Sequence, residues 1–102
     1  MAVCLKLYVT ELQKHNGELL YEWLLERAKA LGIPGGSALR AIAGYGRHGT
    51  MHEEAFFELA ADLPVELEFV VSEEQAQQLL NLLKAEQLKL VYTKMPVDAG
   101  IS

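Results

Sequence analysis

The sequence contains a single cysteine, Cys4, among 102 residues. One cysteine excludes an internal disulfide and a zinc site built on cysteine ligands, and it fits a reducing compartment. The sequence also lacks a stripe of basic residues, and its formal net charge at pH 7 is −5. We therefore expect no nucleic-acid partner, because phosphate backbones are bound through clustered lysine and arginine.

Long hydrophobic runs are also missing. No apolar stretch approaches the length of a membrane span, and residues 2–10 lack the apolar core and cleavage site of a signal peptide. We expect a cytoplasmic protein that does not insert into membranes. Proline is scarce and 51% of the residues are hydrophobic, so residues 1–102 are predicted to form one domain with a compact core.

Two periodicities predict elements in the order βαββαβ. Apolar residues alternate along Val3 to Val9, Val65 to Val71 and Leu88 to Tyr92, as in strands with one buried face. Helical spacing over Leu20 to Leu31 and over Ala76 to Leu83 predicts two helices. With right-handed crossovers this order gives a ferredoxin-like fold, a four-stranded antiparallel sheet with both helices on one face.

Local signals predict where the helices begin and end. Asn16 is expected to cap the first helix, and Gly32 is expected to end it. Ser72 and Gln75 have the spacing of a capping box for the second helix. The tail over residues 96–102 is expected to be loose.

The sheet face away from the helices is predicted to mix charged and apolar side chains. Arg40 is expected to pair there with Glu66 or Glu68 on the neighbouring strand. We expect another subunit to cover this mixed face. The face is predicted to carry Lys6, Tyr8, Arg40, Glu66, Glu68, Val70, Val91 and Thr93.

A glycine-rich centre separates the two halves of the pattern. Residues 32–49 hold six of the eight glycines, and a short buried strand, the second of the chain, is predicted between them over residues 37–43. In the turn Gly44-Tyr45-Gly46-Arg47-His48-Gly49, backbone N–H groups and the Arg47 guanidinium could bind a phosphate-bearing ligand. The alternative is a plain turn that opens a long loop, about residues 44–62.

Other candidate residues leave further alternatives open. Glu11, after the first strand, could accept from a ligand hydroxyl or cap nearby backbone. His48, His52 and Glu53 offer metal ligands within one loop, against the alternative of exposed histidines. No catalytic set is evident, and we expect a protein that is not an enzyme.

Several of these segments resemble the PII signalling proteins, over a stretch from about Leu5 to Tyr92. The segments are residues 32–37, residues 44–49 and residues 65–71. The PII-like family known as domain of unknown function 190 is the most similar in pattern. Its features are met by Glu11, the leucines of residues 19–31, the glycines of residues 35–49, and Leu63-Pro64.

The resemblance implies a homotrimer that binds an adenine nucleotide or similar effector between subunits. It also implies a mobile loop that contacts a regulated partner protein, which could be membrane-borne. Lys94 is the one nearby candidate for the basic residues that PII proteins place beyond strand four. The alternatives are a metal-binding trimer and a structural oligomer without a ligand. By resemblance, Gly36 and Ser37 line the nucleotide base, and Gly44, Gly46, Arg47 and His48 lie near the phosphates.

Overall fold

The computed structural model describes residues 2–44 and 63–102. The sheet order is β4-β5-β1-β6, and every neighbouring pair is antiparallel. The predicted ferredoxin-like fold is confirmed, with a small additional hairpin formed by β2 and β3. The elements are β1 (Ala2–Thr10), β2 (Lys14–His15), β3 (Glu18–Leu19), α1 (Leu20–Ala30), β4 (Ser37–Arg40), β5 (Pro64–Ser72), α2 (Glu73–Ala85) and β6 (Val91–Val97).

The core lies between one face of the sheet and the two helices. Alternate residues of β1 and β5 point into it, and Leu5, Leu7 and Leu67 are fully buried. This alternation is the period-two pattern of the sequence, because successive strand side chains point to opposite faces. The helices contribute Leu20, Trp23, Leu24, Ala28, Ala76, Leu79 and Leu83 to the same cluster.

The ends of the helices follow the sequence signals closely. At the start of α2, Ser72 Oγ accepts from the Gln75 backbone N–H at 3.1 Å, and Gln75 Oε1 accepts from the Ser72 backbone N–H at 3.0 Å. The predicted capping box is therefore confirmed. At the end of α1, Gly32 has φ 85° and Ile33 N–H donates to Ala28 O at 3.1 Å, a Schellman-type stop.

The prediction that Asn16 caps the first helix is wrong. Asn16 has φ 52° and Gly17 has φ 84°, so the pair forms the two-residue turn of the β2–β3 hairpin. Asn-Gly favours such a turn because both central residues need positive φ. The helix starts later, after Leu19, which provides no side-chain cap.

The second predicted strand is shorter and more exposed than expected. β4 ends at Arg40, and its four residues are exposed at an edge of the sheet. The interpretation of residues 37–43 as a buried strand is therefore wrong. An edge strand pairs on one side only, and within residues 2–44 and 63–102 β4 pairs with β5 alone.

The last strand lies three residues later than predicted, at Val91. Gln87 has φ 58° and Leu88 N–H donates to Leu83 O at 2.8 Å, so Leu88 belongs to a Schellman-type end of α2. β6 also includes Pro96 and Val97, which pair with Val3 and Ala2. Proline is tolerated because β6 is an edge strand. The prediction of a loose tail is therefore wrong for residues 96 and 97. Residues 98–102 are exposed and outside any strand or helix.

Neither of the two helices in the described parts of the chain is long and apolar enough to cross a membrane.

Candidate functional site

Three strands meet at one end of the sheet. The register places Thr10 of β1 opposite Pro64 of β5, and Arg40 of β4 opposite Val65 of β5. The ends of β1 and β4 therefore lie on either side of the start of β5. Glu11 follows β1 directly, and its N–H donates to Leu63 O at 2.8 Å. This junction is where the chain leaves β4 and returns to β5.

An ion pair at this junction joins β4 to the residue that follows β1, across the start of β5. The Arg40 guanidinium contacts the Glu11 carboxylate, and the Arg40 side chain is 62% exposed. The prediction that Arg40 pairs with Glu66 or Glu68 is wrong. Arg40 lies opposite Val65, whose side chain is buried, so Arg40 is on the helix side of the sheet. Its predicted place on the other face is also wrong.

The predicted site residues within the described chain fall into two groups. Gly44 lies at the same junction as Glu11, since a Cβ on Gly44 would be 3.5 Å from Pro64 Cγ. Gly36 and Ser37 lie at the opposite end of β4, where Ser37 pairs with Glu68. The structure thus brings Glu11 and Gly44 together and separates them from Gly36 and Ser37 by the length of β4.

Gly36 has a packing role that the sequence did not suggest. A Cβ at this position would be 2.4 Å from Phe69 Cε1 and 3.3 Å from Leu25 Cδ2. Real Cβ atoms essentially never come within 3.0 Å of another atom, so the approach to Phe69 would force a shift. The Phe69 ring is buried in the core, so it has little room to move. Because glycine has no Cβ, the backbone at position 36 can pack directly against the Phe69 ring, just before β4 begins.

The remaining predicted ligands lie outside the described residues. These are Gly46, Arg47 and His48 of the phosphate turn, and His52 and Glu53 of the metal alternative. Both hypotheses stay predictions. Within residues 2–44 and 63–102, no group of three or more His, Cys, Asp or Glu side chains could hold a metal ion.

Lys94, the candidate basic residue of the last strand, is paired with an acidic residue. Its Nζ donates to Glu73 Oε1 at 2.6 Å, across from the first turn of α2. This hydrogen bond raises the pKa of Lys94 above its ordinary value. Lys94 lies opposite Leu5, on the helix side of β6.

A cavity that the sequence analysis missed lies between α2 and β6. Its volume is about 860 Å³. Lysines, amides, leucines and one tyrosine surround it, a mixture able to hold a ligand with an apolar part and an anionic part. The sequence did not indicate this cavity, because the alternation of Leu88 and Leu90 predicts a strand at these positions. The lining residues are Gln77, Leu80, Asn81, Leu83, Lys84, Gln87, Leu88, Lys89, Leu90 and Tyr92.

The face of the sheet away from the helices carries a charged cluster. Lys6 Nζ lies 3.8 Å from Glu66 Oε2 and 3.8 Å from Glu68 Oε2. A hydrogen bond with Glu68 and partial burial raise the pKa of Glu66, while Lys6 acts in the opposite direction. Around the cluster, Leu39 and Val70 are each 47% exposed.

Comparison with solved structures shows which variant of the ferredoxin-like fold this chain has. The fold is the PII-like variant of the ferredoxin-like fold, as two solved structures show. A candidate PII-like signaling protein from Thermus thermophilus has a TM-score of 0.58 at 24% identity, covering 92% of this chain and 82% of that one. CPII from Thiomonas intermedia K12, a nitrogen regulatory PII-like protein bound to ADP, AMP and bicarbonate, has a TM-score of 0.60 at 20% identity. That alignment covers 99% of this chain and 94% of CPII.

The chain belongs to the family DUF190, described as "Uncharacterized ACR", whose model matches residues 2–98. A UPF0166 protein of Aquifex aeolicus is 34% identical over 87 residues, which are 85% of this chain and 83% of the relative. A UPF0166 protein of Methanocaldococcus jannaschii is 38% identical over 82 residues, which are 80% of this chain and 75% of the relative. The resemblance seen in the sequence is confirmed.

Proposed function

We propose that this protein is a PII-like effector sensor. Copies assemble as a trimer, and an adenine nucleotide or a related phosphate-bearing effector binds between neighbouring copies. The bound effector changes how the protein contacts a partner that it regulates, through a shift in the populations of its conformations. We propose binding and not catalysis, in the cytoplasm.

The observation that carries this proposal is the position of two half-sites at opposite edges of one sheet. β4 and β6 are the two outer strands. Glu11, Arg40 and Gly44 lie near the end of β4, and the cavity with Lys89 and Tyr92 adjoins β6. Strands β5 and β1 separate the two within a chain. Contact between the β4 edge of one copy and the β6 edge of the next would join them in one cleft.

Such a cleft has the chemistry that a nucleotide needs. Tyr92 is 49% exposed and offers an aromatic surface on which a base can stack. Lys84 and Lys89 line the same cavity and offer cations for phosphate. The fold likeness to CPII, which is bound to ADP and AMP, supports the choice of adenine nucleotides as first ligands to test.

The assembly itself has support on the free sheet face. Leu39, Val70, Val91 and Met95 are between 39% and 47% exposed, one on β4, one on β5 and two on β6. Apolar side chains spread over neighbouring strands mark a surface that another protein covers. A second copy of the chain is the occupant that also joins the two half-sites.

Isothermal titration calorimetry with AMP, ADP, ATP and cyclic AMP tests the proposal. We expect at least one nucleotide to bind, and Lys89→Gln and Arg47→Ala each to weaken binding about tenfold or more, the size of a lost charged hydrogen bond. Lys29→Gln is the matched control, because Lys29 is exposed on α1 and belongs to neither half-site. It should leave the affinity unchanged. Absence of binding for all four nucleotides would instead support the structural oligomer.

A further inference from the structure

The centre of the free sheet face holds more negative than positive charge. Lys6 of β1 lies between Glu66 and Glu68 of β5, and Tyr8 lies opposite Glu66 in the register. We call these four residues the carboxylate cluster. With both carboxylates ionised, one lysine cannot neutralise them, and the cluster keeps a net charge of about −1.

The strands on either side add no compensating charge. On β4, Ser37 pairs with Glu68, and on β6 the Thr93 hydroxyl lies 3.4 Å from the Tyr8 hydroxyl. Cys4 is the further titratable group of β1 on this face, and it lies between Val70 and Met95 in the register. The cluster is therefore surrounded by neutral side chains on the described strands.

Covering this face removes water from the cluster. The side chains of Lys6, Glu66 and Glu68 are now 27%, 30% and 36% exposed, so water still solvates the surplus charge. Burial of an uncompensated charge is costly, and a protein avoids the cost by binding a proton. Glu66 and Glu68 are placed for this, because both carboxylates lie 3.8 Å from the same Lys6 Nζ and share its single positive charge.

We infer that association of copies through this face is coupled to uptake of a proton from solvent by the Glu66–Glu68 pair. Assembly therefore becomes tighter as the pH falls and looser as it rises. This inference rests on the proposed trimer and adds a regulatory property to it. The sign follows from linkage: the assembled state binds the proton more tightly than the free chain, so a lower pH favours assembly.

Sedimentation velocity at constant ionic strength measures the effect. As the pH falls from about 8 to about 6, we expect the association of the wild-type chain to tighten, by up to about tenfold for a difference of one pKa unit between the free and the assembled pair. This range stays above the sequence pI of 5.1, where loss of overall charge would promote association by itself.

Two variants separate the cluster from the overall charge. Glu68→Gln removes the surplus charge, so this variant should assemble as tightly at the upper pH as at the lower. Glu74→Gln changes the net charge by the same amount at an exposed position in the first turn of α2, and it should keep the wild-type pH dependence.

The outcomes distinguish this inference from the proposed function. A wild-type chain that assembles equally tightly across the range overturns the proton coupling and leaves the trimer in place. The same holds if Glu68→Gln responds to pH as the wild type does, since the proton then binds elsewhere. A single-chain species at every pH overturns the trimer itself, and the proton coupling with it.

Discussion

The two faces of the sheet are built from the same strands, but one face is buried under the helices and the other is exposed. On the helix face, β1 and β5 place only apolar residues, and Leu5, Leu7 and Leu67 are fully buried. On the free face, the same strands place Lys6 and Glu66 among half-exposed apolar neighbours. One chain completes the first face by itself. The second face is too apolar to favour full exposure and too charged to form a core, so we propose that a second copy covers it.

The largest expected effect comes from comparing the faces on one strand. Leu67→Ala removes a fully buried side chain of β5 from the helix face and should lower the free energy of unfolding by about 2–5 kcal/mol. Val70→Ala, on the free face of β5, should cost less than about 1 kcal/mol in the unassembled chain. Urea denaturation of both variants provides the measurement. Equal losses in the unassembled chain would mean that both faces are closed within the single chain.

The entry to β4 provides a second test of helix-face packing. Gly36→Ala should destabilise the fold by about 1–3 kcal/mol, because its Cβ would overlap the buried Phe69 ring. Gly35→Ala is the control, since a Cβ there would meet nothing within 4 Å. Thermal unfolding of the two variants compares them. If Gly36→Ala is as stable as Gly35→Ala, the core at Phe69 is looser than the structure indicates.

The cap of α2 fixes one of the helices that close the helix face. Ser72→Ala removes the acceptor for the Gln75 N–H and should cost about 1 kcal/mol. Gln78→Ala, at an exposed position of the same helix, should change the stability by less than about 0.5 kcal/mol. The comparison uses the midpoint of denaturant unfolding. A Ser72→Ala variant indistinguishable from Gln78→Ala would contradict the assigned cap.

The smallest expected effect concerns the pH dependence of the free face. The pKa of Glu66 is raised in the folded chain, so the folded state binds its proton more tightly than the unfolded state. The stability should therefore rise slightly as the pH falls through the raised pKa toward the ordinary one. Glu66→Gln should flatten this part of the stability profile, and Glu74→Gln should retain it. If Glu66→Gln keeps the wild-type pH dependence of stability, the carboxylate cluster is not the cause of that dependence.

The sequence predicted the elements correctly where a local pattern was typical of one structure only. Alternation in Val3 to Val9 located β1, and the Ser72–Gln75 box located the start of α2. Where two signals shared a residue, the prediction failed. Asn16 can cap a helix or form a hairpin turn, and the following Gly17 favours the turn. Leu88 alternates like a strand residue but completes the end of α2 through its bond to Leu83.

The candidate site could be predicted only in part, because it depends on contacts between distant residues. Glu11 was identified from its place after β1, but its partner Arg40 was assigned to the wrong face. The register of β4 against β5 decides that face, because it pairs Arg40 with the buried Val65, and an edge strand carries a weak sequence pattern. The cavity around Lys89 and Tyr92 lies where α2 packs against β6. No local sequence motif predicts this packing. Arg47 and His48 stay predictions of the sequence alone.

The mass of the protein in solution tests the central claim, that further copies cover the free face, most directly. Light scattering coupled to size-exclusion chromatography at micromolar concentration should give three times the chain mass of 11.3 kDa. A charge placed in the middle of the face by Val70→Glu should reduce this to the mass of one folded chain. A wild-type mass of one chain, with helix and strand content intact, would contradict the account.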